Sequence, residues 1–171
     1  STAMTTSLDT TAVLCSGGLD SVVLAAHLAL EFHVQPLYVS VGLAWESAER
    51  QALSRLADTP AFSRRVRPLV ELDMTMRDVY GPGHWAVTGH PPAYDTPDEA
   101  VYLPGRNLIL LAKAGVYCAA AGIHRLAIGP LAGNPFPDAT PTFFEAMGRA
   151  LSLGLDHGIG ILAPFAALEK A

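Results

Sequence analysis

The stretch Ser16-Gly17-Gly18-Leu19-Asp20-Ser21 lies between a short apolar run, residues 12–15, and an apolar-periodic segment, residues 22–30. This order predicts a strand, a tight turn and a helix. Two adjacent glycines let the backbone approach an anion closely, and the N–H groups and dipole of the following helix point at it. The stretch therefore predicts a phosphate-binding turn. The alternative is an ordinary Gly-Gly turn with Asp20 or Ser21 as the helix N-cap.

Polar side chains accompany the two glycines. Ser16 and Ser21 add hydroxyl donors, and Asp20 places an anion beside the predicted anion site. That carboxylate makes chemical sense when a divalent cation such as Mg²⁺ joins it to the phosphate. The sequence contains neither Gly-x-x-x-x-Gly-Lys nor Gly-x-Gly-x-x-Gly. The loops of γ-phosphate-cleaving and hydride-transferring enzymes are therefore not indicated.

Composition favours a single domain, residues 1–171, that acts on a small molecule. The chain has 171 residues, of which 50% are hydrophobic and 16% charged, and its net charge is −5. These values give no basic footprint for bulk nucleic acid and no polybasic patch for a membrane. Residues 1–3 are interpreted as a tag remnant, and without a secretory leader or an apolar run of about 18 residues we expect a cytoplasmic protein.

Cysteines and histidines do not indicate a metal site. Cys15 and Cys118 are the only cysteines and lie in apolar segments, so buried free thiols are expected, with a nucleophilic Cys15 as the minor alternative. His84 and His90 share a predicted loop, but the chain has no spacing typical of zinc ligands.

Short apolar runs alternate with amphipathic segments along the chain, which predicts a parallel sheet. Strands are predicted at residues 12–15, 34–39, 66–72, 124–128 and 160–163, and helices at 20–31, 44–57, 105–121 and 141–151. Pro68 favours an edge position for the third strand, and Gly122 is predicted to end the third helix. The predicted fold is α/β, a doubly wound parallel five-stranded sheet with helices on both faces. Ligands of such sheets bind at the carboxyl ends of the strands.

The interval from residue 73 to residue 104 interrupts this alternation. It contains prolines and glycines interleaved with Tyr80, Trp85 and Tyr94. Long irregular segments in compact domains are usually functional or disordered, and the aromatic residues argue against simple disorder. We therefore expect a lid or a dimer-contact loop, and a homodimer as the assembly.

Two further clusters of polar residues lie near predicted strand ends. Arg106 stands at a predicted helix start, where a cation is unfavourable unless an anion from outside, such as a triphosphate, meets it. Asn107 adds a donor and an acceptor there, although a solvated arginine and a capping asparagine would look the same. In the second cluster, Asp138 is predicted to accept hydrogen bonds from a nitrogen-rich heterocycle, with Phe136 or Phe143 stacking on it. The alternative there is a plain turn in which Thr140 caps a helix that has Pro141 at its first position.

The hexapeptide resembles the signature of the ATP pyrophosphatases, or PP-loop enzymes, which cleave ATP between the α- and β-phosphates. Together with Tyr102-Leu103-Pro104-Gly105-Arg106-Asn107 and Pro137-Asp138-Ala139-Thr140-Pro141, it makes the sequence similar to the 7-cyano-7-deazaguanine synthase family. That family adenylates the carboxylate of 7-carboxy-7-deazaguanine, lets ammonia displace AMP to give the amide, and uses a second ATP to dehydrate the amide to the nitrile.

The resemblance implies a role for each matching residue. It implies that ATP and Mg²⁺ are held by residues of the turn and of the helix start, with Asp20 as the metal ligand and Asp20 and Arg106 as the catalytic residues. The implied nucleotide-binding set is Ser16, Gly17, Gly18, Leu19, Asp20, Ser21, Arg106 and Asn107. The implied substrate-binding set is Asn107, Phe136 and Asp138, with a heterocyclic acid and ammonia as the substrates.

The sequence also departs from the family pattern. The family's C-terminal cysteine cluster binds a structural zinc, but no cysteine follows Cys118, so zinc is not expected. The family's Phe-Asp-Tyr-Gly-like run is replaced by residues 39–43, Val-Ser-Val-Gly-Leu, and its Asp-Cys-Arg by Asp138-Ala139-Thr140. These changes favour a shortened relative with altered specificity. A ligase that stops at the amide, an ATP-binding sensor without catalysis and a sulfur-transfer enzyme are the alternatives.

Overall fold

The computed structural model describes residues 9–15, 19–42, 46–60, 64–80, 103–129 and 136–165. Their strands form one five-stranded sheet in the order β3-β2-β1-β4-β5. Every neighbouring pair is parallel. The predicted α/β fold with a parallel five-stranded sheet is confirmed, and β3 occupies the predicted edge.

The helices and strands alternate along the chain. The strands are β1 (Thr10–Leu14), β2 (His33–Ser40), β3 (Val70–Asp73), β4 (Arg125–Ala127) and β5 (Gly160–Leu162). The described helices are α1 (Leu19–Leu28), α2 (Glu46–Ala57), α3 (Arg77–Tyr80), α4 (Arg106–Ala121) and α5 (Pro141–Leu155). A short 3₁₀ turn, Pro137–Ala139, precedes α5.

Two apolar cores cover the two faces of the sheet, because successive residues of β1 point to opposite sides. Ala12 and Leu14 belong to the core formed with α4 and α5, whereas Val13 and Cys15 belong to the core formed with α1 and α2. All four are 3% exposed or less. A strand buried on both faces reads as a continuous apolar run, which is why β1 was recognisable in the sequence.

Two predicted bounds are wrong by four residues: α5 ends at Leu155 instead of residue 151, and β3 begins at Val70 instead of residue 66. Residues 66–72 were predicted as the strand, but Val66 forms only an isolated bridge with Val34, and β3 proper begins at Val70. Pro68 has no N–H to give to a ladder, so regular pairing starts after it. Its carbonyl oxygen instead accepts a hydrogen bond from Gln35 Nε2 at 3.0 Å.

Helix ends follow local chemistry. Gly122 ends α4 in a left-handed conformation (φ 71°), and the N–H of Ile123 donates to the carbonyl of Cys118 at 2.8 Å, so the predicted stop is confirmed. At the start of α5, Thr140 Oγ1 accepts a hydrogen bond from the N–H of Phe143 at 3.1 Å. The capping role that the sequence suggested for Thr140 is therefore present.

Part of the predicted irregular interval is ordered as α3, while residues 81–102 lie outside the described residues. The proposed lid or dimer contact therefore remains a prediction. Within the described part of the chain, no helix combines the length and the apolar character needed to cross a membrane.

Candidate functional site

The predicted phosphate turn follows the central strand of the sheet. Ser16, Gly17 and Gly18 lie outside the described residues, and α1 begins directly after them with Leu19 and Asp20. Ser21, in the first turn of that helix, is only 3% exposed. A strand therefore ends before these three residues and a helix begins after them, in the order that the anion-site prediction requires.

Cys15 is the last described residue before this turn. It is 1% exposed, and its thiol donates to the carbonyl oxygen of Val13 at 3.4 Å. A nucleophilic cysteine needs exposure and an electropositive neighbourhood. Burial in the α1–α2 core fits the interpretation of Cys15 as a packing residue.

The start of α4 contains the second predicted cluster. Gly105 is the N-cap residue and has a left-handed conformation (φ 77°), and it has no side chain with which to cap the helix. Partly exposed Arg106 and Asn107 follow it in the first turn. The N–H of Arg106 donates to the carbonyl of Leu103 at 3.1 Å, and the other unpaired N–H groups of this turn need acceptors from another part of the chain or from solvent.

Asp138 supplies one of those acceptors. Its Oδ2 accepts a hydrogen bond from the backbone N–H of Asn107 at 2.9 Å, and its carbonyl oxygen accepts one from Asn107 Nδ2 at 3.0 Å. Asp138 is 8% exposed. Two residues predicted separately for the substrate site therefore contact each other, across a separation of 31 residues.

This contact changes the electrostatic argument for Arg106. The sequence suggested that a cation at a helix start requires an anion from outside the protein. The carboxylate of Asp138 already lies at the same helix start, where the helix dipole favours negative charge. The fold thus provides an internal anion that the local sequence could not reveal.

Phe136 lies just before the 3₁₀ turn and is partly buried against the core that α4 and α5 share. Tyr80 of α3 donates its hydroxyl to the carbonyl oxygen of Pro104 at 3.3 Å, just before α4. The segment leading into α4 is therefore bound by α3, while the first turn of α4 is bound by the 3₁₀ turn.

Sequence reasoning missed Glu46. This residue begins α2 and is 4% exposed, and its carboxylate accepts hydrogen bonds from Ser40 Oγ at 2.6 Å and from the N–H of Val41 at 2.9 Å. The available signal was an acidic residue at a helix start shortly after a strand. The helix is predicted from residue 44, which gives Glu46 no special position in the sequence, and residues 43–45 lie outside the described residues.

A separate groove of about 770 Å³ runs between α5 and β5. Its lining combines apolar residues with Glu145, Arg149 and Ser152. None of the predicted site residues that the structure describes lines this groove. The described residues also contain no group of three or more histidine, cysteine, aspartate or glutamate residues arranged to hold a metal ion.

Residues 10–171 match the family described as "Queuosine biosynthesis protein QueC". This chain belongs to the QueC family. Membership makes it an enzyme of the ATP-dependent ligase type, in agreement with the resemblance that the three motifs carry.

Curated relatives of the QueC family support the same assignment. The protein named 7-cyano-7-deazaguanine synthase from Thermoplasma acidophilum is 34% identical, with 93% of this chain and 69% of the relative covered. The one of the same name from Methanospirillum hungatei is 32% identical, with 92% and 74% covered.

Solved structures show the fold alone. A predicted subunit of a tRNA methyltransferase from Methanocaldococcus jannaschii has a TM-score of 0.56 at 17% identity, with 95% of this chain and 71% of that chain covered. The U34-tRNA thiolase NcsA from Methanococcus maripaludis has a TM-score of 0.55 at 14% identity, with 96% and 54% covered.

Proposed function

We propose that this QueC-family chain uses ATP to adenylate the carboxylate of a 7-deazaguanine-like heterocyclic acid, which ammonia then converts to the amide. A second ATP-dependent dehydration of that amide would give the nitrile. The observation that carries the proposal is the pairing of Asn107 with Asp138. It brings together two of the three motifs that carry the resemblance to the family. In folds of this kind, ligands bind at the carboxyl ends of the strands.

In the adenylation step, a carboxylate oxygen of the substrate attacks the α-phosphorus and the bond to the β-phosphate breaks, so pyrophosphate leaves. The turn formed by residues 16–21 is proposed to hold the phosphates through its backbone N–H groups and its serine hydroxyls. Arg106 is proposed to stabilise negative charge that develops on the phosphates. Such positioned donors act mainly by electrostatic stabilisation, and no general base is needed because the attacking carboxylate is already ionised.

Asp20 is the residue proposed to hold Mg²⁺. It lies in the first turn of α1, within the predicted phosphate turn, and Mg²⁺ is commonly bound through one or two carboxylates together with substrate phosphates. This donor set fits the ion without a ready-made cluster of protein ligands. When bound, the ion would neutralise phosphate charge.

Asn107 and Asp138 are proposed to recognise the heterocycle with the atoms that their mutual contact does not use. Their pairing engages Asn107 Nδ2 and Asp138 Oδ2. Asn107 Oδ1 and Asp138 Oδ1 are then the acceptors proposed for the N–H groups of a purine-like ring. Phe136 is proposed to contact its face.

Three further features complete the proposal. Residues 80–94 are proposed to act as a lid, because hydrolysis of an acyl adenylate by water would compete with attack by ammonia. Action in the cytoplasm and assembly as a homodimer are also proposed, in keeping with a biosynthetic enzyme of this size.

The decisive test is product analysis by mass spectrometry after incubation with ATP, Mg²⁺, ammonia and 7-carboxy-7-deazaguanine. We expect AMP and pyrophosphate together with the amide, and the nitrile if the second step occurs. Tight binding of ATP without turnover of any acid tested would identify a sensor instead. AMP release without an amide or a nitrile would reject the proposed substrate while leaving the adenylation chemistry in place.

A further inference from the structure

Glu46 is a buried carboxylate to which the proposed reaction assigns no role. It is 4% exposed, and each of its oxygens accepts one hydrogen bond, Oε1 from Ser40 Oγ and Oε2 from the N–H of Val41. The two donors are the last residue of β2 and the residue directly after it. A buried carboxylate with two donors, at the start of a helix whose dipole favours it, is a stable fixing point for that segment.

The segment held in this way, residues 40–42, is named here the β2 extension. Hydrogen bonds also hold it on the side of β3 and α3. The carbonyl of Ser40 accepts from the N–H of Met74 at 2.7 Å, that of Val41 from the N–H of Met76 at 3.1 Å, and that of Gly42 from Arg77 Nε at 3.3 Å. The backbone of the β2 extension is therefore fixed from two directions.

Gly42 shows how closely this segment is packed. Its φ of 87° lies in the left-handed region, and a Cβ atom placed on it would come within 2.9 Å of Arg77 Nε. A side chain here would be strained and would also displace the arginine. The conformation of the β2 extension is thus restricted by Glu46 on one side and by the segment from Met74 to Arg77 on the other.

The β2 extension lies next to the carboxyl end of β1. Leu14, the last residue of β1, pairs with Leu37, and the N–H of Cys15 donates to the carbonyl of Leu37 at 2.8 Å. β2 then continues to Ser40, past the end of β1. Residues 40–42 therefore lie at the carboxyl ends of the strands, on the side of the sheet where the chain leaves β1 and enters α1.

We propose that Glu46 is a positioning residue for the nucleotide, because it fixes the β2 extension next to the carboxyl end of β1 and so shapes one wall of the ATP site proposed there. This inference rests on the proposed function only in taking ATP as the ligand. The contribution is geometric. A glutamine can reproduce both contacts, with its amide oxygen accepting from Val41 and its amide nitrogen donating to Ser40 Oγ.

The test compares Glu46→Gln and Glu46→Ala by calorimetric titration with Mg-ATP, alongside circular dichroism and thermal unfolding. We expect Glu46→Ala to raise the Kd for ATP by about tenfold, corresponding to about 1.4 kcal/mol. Glu46→Gln keeps both contacts and should leave the Kd for ATP unchanged. In turnover assays the alanine variant should raise the KM for ATP more than it lowers kcat.

Gly122→Ala is the matched control. It strains a helix end at the amino ends of the strands and does not touch the β2 extension. It should lower the melting temperature and leave the Kd for ATP unchanged. If Glu46→Ala lowers only the melting temperature, in the same way, Glu46 is a structural residue and the inference is wrong. Loss of ATP binding in Glu46→Gln as well as Glu46→Ala would also overturn it, since the charge would then be what matters.

Ser40→Ala decides the matter if the Glu46 variants do not fold. It removes one donor to Glu46 and keeps the carboxylate, so we expect a Kd raised about threefold, and an unchanged Kd would overturn the inference. The proposed function fails separately. Unaltered protein that binds ATP but forms no product would reject the reaction and leave the role of Glu46 standing, whereas protein that does not bind ATP would reject both.

Discussion

Asp138 caps the helix that carries Asn107. Its carboxylate accepts the hydrogen bond of the Asn107 N–H at 2.9 Å, although 31 residues separate the two in the chain. Gly105, the residue at the local capping position, has no side chain to do this. This hydrogen bond therefore couples the start of α4 to the 3₁₀ turn before α5.

Asp138→Ala should destabilise the protein by about 1–3 kcal/mol, because it leaves a partly buried N–H without an acceptor. Asn107→Ala keeps that N–H and its bond to Asp138 and loses only the amide contact. It should therefore cost less, about 0.5–1.5 kcal/mol. Urea unfolding of both variants measures the difference. Equal losses of unfolding free energy, or a larger loss for Asn107→Ala, would show that the carboxylate does not make the more stabilising of the two hydrogen bonds.

Asp20→Asn should preserve the fold and remove most AMP formation, because it takes away the charge proposed to hold Mg²⁺ at the phosphate turn. The measurement is AMP release in the presence of the acid substrate, with circular dichroism as the check on folding. Asp9→Asn is a suitable control, since Asp9 is exposed and lies before the amino end of β1. Turnover of Asp20→Asn at the level of this control would reject the assigned role.

Gly122→Ala should lower the free energy of unfolding by about 1 kcal/mol. Its φ of 71° is left-handed, and an added Cβ would meet nothing within 4 Å, so the loss comes from backbone strain alone. Gly122→Asn should cost less, because asparagine tolerates this conformation better than alanine. Thermal unfolding of the two variants tests the order. A more stable alanine variant would contradict it.

Stability should decline in strong alkali through Cys118. Burial raises the pKa of the Cys118 thiol from 9.0 to about 12. The unfolded chain therefore loses this proton at lower pH than the folded protein. The contribution of the buried thiol to the free energy of unfolding is complete below pH 9 and is lost between pH 9 and about 12. The slope should reach about 1.4 kcal/mol per pH unit.

Cys118→Ala removes the titrating group, so its unfolding free energy should fall less steeply over the same alkaline range. Its lower stability at neutral pH reflects lost packing and does not affect the comparison of slopes. Parallel slopes in the two proteins would mean that other groups account for the whole alkaline effect.

Sequence reasoning succeeded where a feature is local. The apolar run of β1, the glycine stop after α4 and the threonine cap of α5 each depend on a few neighbouring residues, and each was predicted. The predicted ends of a strand were wrong where its local composition conflicts with its hydrogen-bonded pairing in the sheet. Val66 fits a strand by composition, yet Pro68 interrupts the ladder and delays β3 to Val70.

The candidate site was predicted in part for the same reason. The three motifs are visible in the sequence. The hydrogen bond between Asp138 and Asn107 is not, because it depends on the sheet bringing the segment after β4 to the start of α4. Glu46 shows the limit more sharply. An acidic residue at a helix start is usually solvated, and only the fold reveals that Ser40 and Val41 bind it in the interior.

The strand order has a consequence for synthesis of the chain. β1 is the first described strand to leave the ribosome and the middle strand of the finished sheet. One of its edges can pair with β2 soon afterwards, but the other must wait until Leu126 arrives opposite Ala12. During that interval the growing chain exposes an apolar strand edge that can pair with other chains. Chaperone dependence should therefore be greatest before residues 125–127 have emerged.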